Sequence, residues 1–226
     1  MAQITLFTDS RFPCPQRLQL VILELGITVK GVQELDIERS EQKSTELRKL
    51  NPSGAVPFIQ DDAQKPPLLL SESRAIARYL ALRYSTSTGR NPMLVPDAGD
   101  FIGLAKFEEA ASIELTCFDA AANPLVFEEY FKLRYSNQAA DTERCKALRE
   151  RLNDVLTLLD NRLAGQQFMA GETVTLVDFF YVPYMHYLAT HVWPSVLDGR
   201  QHLGAWWKMM QGRDSYRVVF GQQAAN

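Results

Sequence analysis

The stretch Leu68-Leu69-Leu70-Ser71-Glu72-Ser73-Arg74-Ala75-Ile76-Ala77-Arg78-Tyr79-Leu80 constrains this chain more than any other. Three consecutive leucines are too short a run for a helix and read as a buried strand. After Ser73, the apolar residues Ile76, Tyr79 and Leu80 follow helical spacing. The chain therefore passes from strand straight into helix. Ser71 or Ser73 is expected to cap that helix, and Glu72 adds negative charge near its start. A helix beginning there offers free backbone N–H groups and a positive dipole end, which suits a carboxylate ligand. A little upstream, Asn51-Pro52-Ser53-Gly54-Ala55-Val56-Pro57-Phe58 reads as a turn followed by a strand that opens on Val-Pro. A proline at that point sits at a sheet edge or forms a cis peptide bond.

Around these two signals the first third of the chain alternates strands and helices. Residues 3–7 form a strand with Ile4 and Leu6 on one face. A loop containing Pro13 and Pro15 follows. A helix then carries Leu18, Val21, Ile22 and Leu25 inward and stops at Gly26. Residues 29–35 form a second strand, and residues 40–50 a short helix with Leu47 and Leu50 inward. Residues 56–60 and 67–70 pair as strands across a turn at 61–65. Strand, helix, strand, helix, strand, strand, helix is the order of an α/β layer on a mixed sheet.

Residues 85–100 read as a linker, with Asn91-Pro92, Pro96 and Gly99 as breaking cues. Beyond them the pattern is wholly helical. Leu104, Phe107, Ala111, Leu115 and Phe118 mark one inward stripe; Leu148, Leu152, Val155 and Leu159 mark another. The expected domains are thus 1–84, a linker at 85–100, and an all-helical 101–226. In Ala170-Gly171-Glu172-Thr173-Val174-Thr175-Leu176-Val177-Asp178, Thr175 and Asp178 have the spacing of a capping box, with Val174 and Phe179 as its hydrophobic staple.

Composition narrows the partners. The 226 residues carry a net charge of −3, so no basic surplus points to nucleic acid. No apolar run reaches membrane-spanning length, and no signal-peptide pattern opens the chain. Cys14, Cys117 and Cys145 are sparse and scattered, as reduced thiols are, and imply a cytoplasmic location. His186, His191 and His202 have no metal-ligand spacing. Trp193, Trp206 and Trp207 read as packing residues.

Asn-Pro-x-Gly-x-Val-Pro followed by Ser-Glu-Ser-Arg-Ala-Ile resembles the glutathione-binding half of the glutathione transferases, and the wording is most similar to the phi class. Ala-Gly-Glu-Thr-x-Thr-Leu-x-Asp resembles the buried capping motif of that family's helical domain. The resemblance covers nearly the whole chain. It implies a thioredoxin-like α/β domain followed by an all-α domain, a cytoplasmic homodimer, and reduced glutathione as co-substrate with no metal.

Glutathione has two carboxylates, an ammonium and a thiol, and the chain offers a candidate for each. Glu72 is expected to pair with the γ-glutamyl ammonium. Ser73, with the N–H groups of its helix start, is expected to hold the γ-glutamyl carboxylate. Val56, before Pro57, would bond the cysteinyl main chain as an added strand does. The family's His-Lys pair for the glycyl end falls here on Gln42 and Lys43. Glu72 and Ser73 read otherwise as simple helix caps, and Lys43 as a solvated charge.

The activator of the thiol is less direct. Phi-class enzymes place a serine six residues before the Val or Leu that follows Arg, and that place here is Phe12, whose ring donates no hydrogen bond. Three readings stay open: the Ser10 hydroxyl, the Cys14 thiol in thiol-transfer chemistry, and the N-terminus of the first helix with a bound water. Cysteine-type relatives carry their Cys at the Phe12 place, which sets Cys14 last. Arg17 reads as an ion-paired or helix-surface charge. Phe12, Phe118 and Phe127 are expected as walls of an electrophile pocket. The activity implied is conjugation of glutathione to hydrophobic electrophiles. A glutathione-dependent isomerase, peroxidase or biosynthetic enzyme on the same site, or a ligand-binding or scaffold protein, are the alternatives.

Overall fold

The computed structural model describes residues 2–84 and 93–221. It divides into two compact units, Met1–Val95 with Arg217–Asn226, and Pro96–Tyr216. Residues 85–92 of the expected linker lie outside the described residues.

The first unit holds β1 (Ala2–Thr8), α1 (Pro13–Glu24), β2 (Val29–Glu34), a 3₁₀ turn (Glu41–Lys43), α2 (Thr45–Leu50), β3 (Phe58–Asp61), β4 (Leu68–Ser71) and α3 (Ser73–Tyr84). The strands lie in the order β2-β1-β3-β4. β1 and β2 are parallel, and the other two pairs antiparallel. This is the expected thioredoxin-like α/β arrangement.

Register sets which side chains share a face. Leu6 lies opposite Ile59, and Ile59 opposite Leu70; Phe7 lies opposite Phe58, and Phe58 opposite Ser71. Because side chains alternate along a strand, these two rows point to opposite faces. Phe7 and Phe58 stack with ring centroids 4.3 Å apart. Leu35 joins them in a buried cluster, and Leu47, Leu50 and Val56 pack against it.

Two local expectations change. The single helix expected over 40–50 is split, because Ser44 is extended (φ −58°, ψ 152°) and separates the 3₁₀ turn from α2. The strand expected from Val56 begins at Phe58, after a cis Val56–Pro57 peptide bond.

The second unit is helical. α4 (Phe101–Ile113), a π turn (Glu114–Asp119), α5 (Ala120–Val126), a second π turn (Phe127–Phe131) and α6 (Lys132–Ser136) run without a break. α7 (Thr142–Leu163), α8 (Leu176–Tyr187), a third π turn (Leu188–Val192) and α9 (Gln201–Gln211) follow, and α10 (Asp214–Phe220) starts here and ends among the residues counted with the first unit. Asp100 and Asp141 cap α4 and α7 by accepting from the N–H groups of Gly103 and Arg144. Of the expected α7 stripe, Leu152 and Leu159 are buried, while Leu148 and Val155 are half-buried and Leu156 is buried beside them. Leu115, placed inward by a strict 3.6-residue period, is 50% exposed. It lies in the first π turn, whose wider i→i+5 winding rotates the following side chains off the α-helical stripe.

Candidate functional site

The sheet gathers the expected glutathione residues at one end. β3 begins at Phe58, which pairs with Phe7 near the end of β1 and with Ser71, the last residue of β4. Thr8 at the end of β1 pairs with Glu34 at the end of β2. The segments just beyond this edge carry Ser10 and Phe12, Gln42 and Lys43, Val56 and Pro57, and Glu72 and Ser73. Strand pairing brings together the segments that leave β1, enter β3 and leave β4, and Lys43 is placed against the turn before β3 by its approach to Gly54.

The turn before β3 is held by its own side chains. The Asn51 amide donates to the Ala55 carbonyl (2.8 Å), and Ser53 Oγ donates to Asn51 Oδ1 (2.9 Å). Gly54 has φ +63°, where a Cβ is unfavourable. A Cβ there would lie 3.5 Å from Lys43 Cγ, so the stem of Lys43 runs over this turn while its residue stays exposed. Gln42 is buried, and its Oε1 has no hydrogen-bond partner among the described residues. No hydrogen bond reaches the main chain of Val56 among the described residues, leaving its N–H and C=O available to an added strand.

Where β4 becomes α3, Glu72 adopts φ 71°, a left-handed conformation that costs a non-glycine residue about 1 kcal/mol. Its carbonyl accepts the Ile76 N–H at 2.9 Å, so Glu72, rather than either serine, holds the cap position. Its side chain is exposed. Ser73 is the first helical residue and is 4% exposed.

The hydroxyl of Ser73 is occupied from an unexpected direction. Arg17 Nη1 donates to Ser73 Oγ at 2.9 Å and to Cys14 Sγ at 3.4 Å. Arg17 is 0% exposed, which corrects its reading as a surface charge. A signal for this was present: Arg17 precedes the buried Val21 and Leu25 by one and two turns on the same face of the helix.

The start of α1 is short of donors. Phe12 is the cap residue and offers no side-chain hydrogen bond. Its N–H is taken by the Asp9 carbonyl, and the Gln16 N–H by the Phe12 carbonyl. Pro13 and Pro15 have no N–H. Cys14 therefore supplies the one first-turn N–H not accepted by the chain among the described residues.

The loop that carries Ser10 is pinned on both sides. The Ser10 N–H donates to Glu34 Oε2 (3.1 Å) and its carbonyl accepts from Gln16 Nε2 (3.2 Å). Arg11 binds Asp9 (2.7 Å), Asp36 (2.9 Å) and Glu38 (2.6 Å). The Arg11 hydrogen bond holds the Asp36 carboxyl below its ordinary range. Ser10 itself is exposed, and Phe12 half-buried.

In the helical unit, Phe118 is fully buried, with its ring centroid 4.8 Å from that of Tyr181. It packs the core, which corrects its expected place as a pocket wall. Phe127 is 48% exposed. Thr175 and Asp178 form the expected capping box. Asp178 also accepts from the Met169 N–H (2.9 Å) and from Trp206 Nε1 (2.9 Å). Burial pushes the Asp178 carboxyl up, while these donors pull it down. Among the described residues, no cluster of His, Cys, Asp and Glu is placed to hold a metal ion, and no helix is long and apolar enough to cross a membrane.

Comparison with known proteins follows the same division of the chain. Residues 13–83 match the family "Glutathione S-transferase, N-terminal domain" and residues 125–214 match "Glutathione S-transferase, C-terminal domain". Glutathione S-transferase PM239X14 of Arabidopsis thaliana is 32% identical, over 100% of this chain and 97% of its own length. Glutathione S-transferase F12 of the same plant is 31% identical over 96% of each. The solved structure of glutathione S-transferase I from mais, in complex with an atrazine glutathione conjugate, superposes with a TM-score of 0.85 at 26% identity, covering 97% of both chains.

Proposed function

The chain belongs to the glutathione S-transferase family, in its phi class, and is a glutathione transferase; from that premise we propose how its own residues hold glutathione and activate it toward hydrophobic electrophiles. The observation that carries the reading is the convergence of Glu72, Ser73, Val56 and Lys43 at one end of the sheet.

Glu72 takes the γ-glutamyl ammonium. Its left-handed backbone supports this role, since such strain persists at sites that need one direction for a side chain. The Ser73 hydroxyl and the first N–H groups of α3 take the γ-glutamyl carboxylate. The unbonded main chain of Val56 pairs with the cysteinyl unit. Lys43 and Gln42 meet the glycyl carboxylate, Lys43 with its charge and Gln42 with its amide N–H groups.

The chemistry asked of the protein is to hold the sulfur as a thiolate below the ordinary thiol pKa of about 8.5. The thiol proton leaves to solvent, and the sulfur electron pair forms the new C–S bond as the electrophile either releases a leaving group with its bonding pair or, in an addition, moves its π pair onto the activating group, which then takes a proton from water. Stabilisation comes from the positive end of α1, with the Cys14 N–H as its donor and the Ser10 hydroxyl as a second source. Phe12 and Phe127 are the aromatic candidates for contact with the electrophile, each on its own unit. The boundaries 1–84, 85–100 and 101–226, a cytoplasmic location and a homodimer belong to the same reading and rest on the family.

Ultraviolet titration of the thiolate of bound glutathione tests it. A bound-thiol pKa well below that of free glutathione supports activation. Tight binding with an unshifted thiol would instead make the protein a carrier or scaffold.

A further inference from the structure

We propose that Arg17 is a positioning residue for glutathione, acting through Ser73 on the α-carboxylate of the γ-glutamyl unit. The inference rests on the glutathione site described above and adds to it a residue that does not touch the ligand.

Arg17 is 0% exposed, and an arginine is charged at any working pH. Placing a guanidinium in the interior is unfavourable unless its N–H groups find acceptors. Nη1 finds Ser73 Oγ at 2.9 Å and Cys14 Sγ at 3.4 Å. A fixed positive charge thus stands directly behind the first residue of α3.

A guanidinium donates and never accepts. Ser73 Oγ must therefore accept from Arg17, and its own O–H hydrogen is turned away from that bond. A serine hydroxyl without such a partner rotates freely and serves equally as donor or acceptor. Here it is held as a donor, and the adjacent charge polarises it. A carboxylate ligand needs donors and is repelled by lone pairs. Ser73 directly follows Glu72, whose φ of 71° sets the entry of the chain into α3. The ammonium and carboxylate of one amino acid are thus matched by an exposed carboxylate and an oriented hydroxyl on consecutive residues.

Two peptides separate this role from a structural one: glutathione, and 4-aminobutanoyl-cysteinylglycine, which keeps the ammonium but lacks the α-carboxylate. Calorimetric affinities for both are measured on the parent protein, Arg17→Met, Ser73→Ala and the double variant. The parent is expected to prefer glutathione. Arg17→Met should weaken glutathione about 10-fold, the order expected for a lost hydrogen bond to a charged group. Its affinity for the truncated peptide should change by less than about 2-fold, well under one such bond. The double variant should bind glutathione no more weakly than the weaker single variant, because both act along one path. Equal weakening of both peptides by Arg17→Met would overturn the proposal, as would losses that multiply in the double variant. If Arg17→Met does not fold, Arg17→Gln takes its place; it removes the charge and shortens the side chain, and unchanged discrimination with it also overturns the proposal. A parent that binds the two peptides alike would refute the carboxylate subsite at Ser73, and one that binds neither would refute the glutathione site itself, results distinct from failure of Arg17 alone.

Discussion

Arg17 and Ser73, 56 positions apart in the chain, meet in the interior at 2.9 Å. Through them the N-terminal part of α1, where the sulfur of glutathione is expected, is joined to the first residue of α3, where its γ-glutamyl end is expected. The two helices pack together, so the bond lies across an existing contact. Loss of Arg17 is expected to be felt at the γ-glutamyl end, through Ser73.

Glu72→Gly separates stability from binding. Glycine adopts φ near +70° without penalty, so relief of strain should add up to about 1 kcal/mol of stability. The same change removes the proposed partner of the ligand ammonium, and glutathione affinity should fall at least about 10-fold. Glu72→Ala should lose the affinity without gaining the stability. Thermal melts and calorimetry on the two variants check this; an E72G protein that melts lower than the parent contradicts the strain assignment.

Cys14→Pro removes the first-turn N–H, whereas Cys14→Ala removes only the thiol. Proline is tolerated in the first turn of a helix. If the end of α1 stabilises the thiolate, C14P raises the pKa of bound glutathione toward its free value and C14A leaves it near the parent's. Ser10→Ala, titrated beside them, should reduce turnover if the hydroxyl contributes. A loss confined to disulfide exchange in C14A would assign thiol transfer to the Cys14 sulfur.

Asp178→Asn should destabilise the helical unit by about 2–4 kcal/mol without touching the glutathione site. The carboxylate accepts from Met169, Thr175 and Trp206 in a fully buried position, and an amide turns an NH₂ group toward one of those donors. Trp206→Phe should lose about 1–2 kcal/mol beyond any change in packing, from one orphaned carboxylate lone pair. Denaturant midpoints measure both, and a midpoint for D178N equal to the parent's would exclude the network as a source of stability.

His186 makes stability fall in mild acid. Burial, then the neighbouring His191, pulls its pKa down to about 4, and its Nδ1 lies 2.9 Å from the Tyr216 hydroxyl. In the unfolded chain it titrates near about 6.5. Between these values the unfolded state binds a proton that the folded state does not. The contribution is therefore complete above pH 6.5 and is lost as pH falls through 4, amounting to up to about 3 kcal/mol. His186→Gln, whose amide still reaches for Tyr216, should flatten the dependence of the denaturation midpoint over that range. A slope as steep as the parent's would place the titration elsewhere.

The elements legible in the sequence were those whose cause lies within a few residues. The leucine run entering a helix at Ser73, the Asn51–Gly54 turn, the Thr175–Asp178 capping box and the stripe of α7 are all written in local spacing. The candidate glutathione residues were legible as motifs, because each motif is a short run. Their convergence was not, because it depends on Phe58 pairing with both Phe7 and Ser71.

Partners across the fold required packing. Whether Arg17 meets solvent or Ser73 depends on how α1 lies on α3. Trp206 reaches Asp178 from 28 positions away. Phe118 and Phe127 have similar spacing in one long helical run, yet one is buried and the other 48% exposed, with π turns altering the facing between them. Backbone propensity and hydrophobic period are properties of neighbours in the chain, so sequence alone settled the elements. Which side chains touch is settled by distance in space, and only the assembled units bring those distances into being.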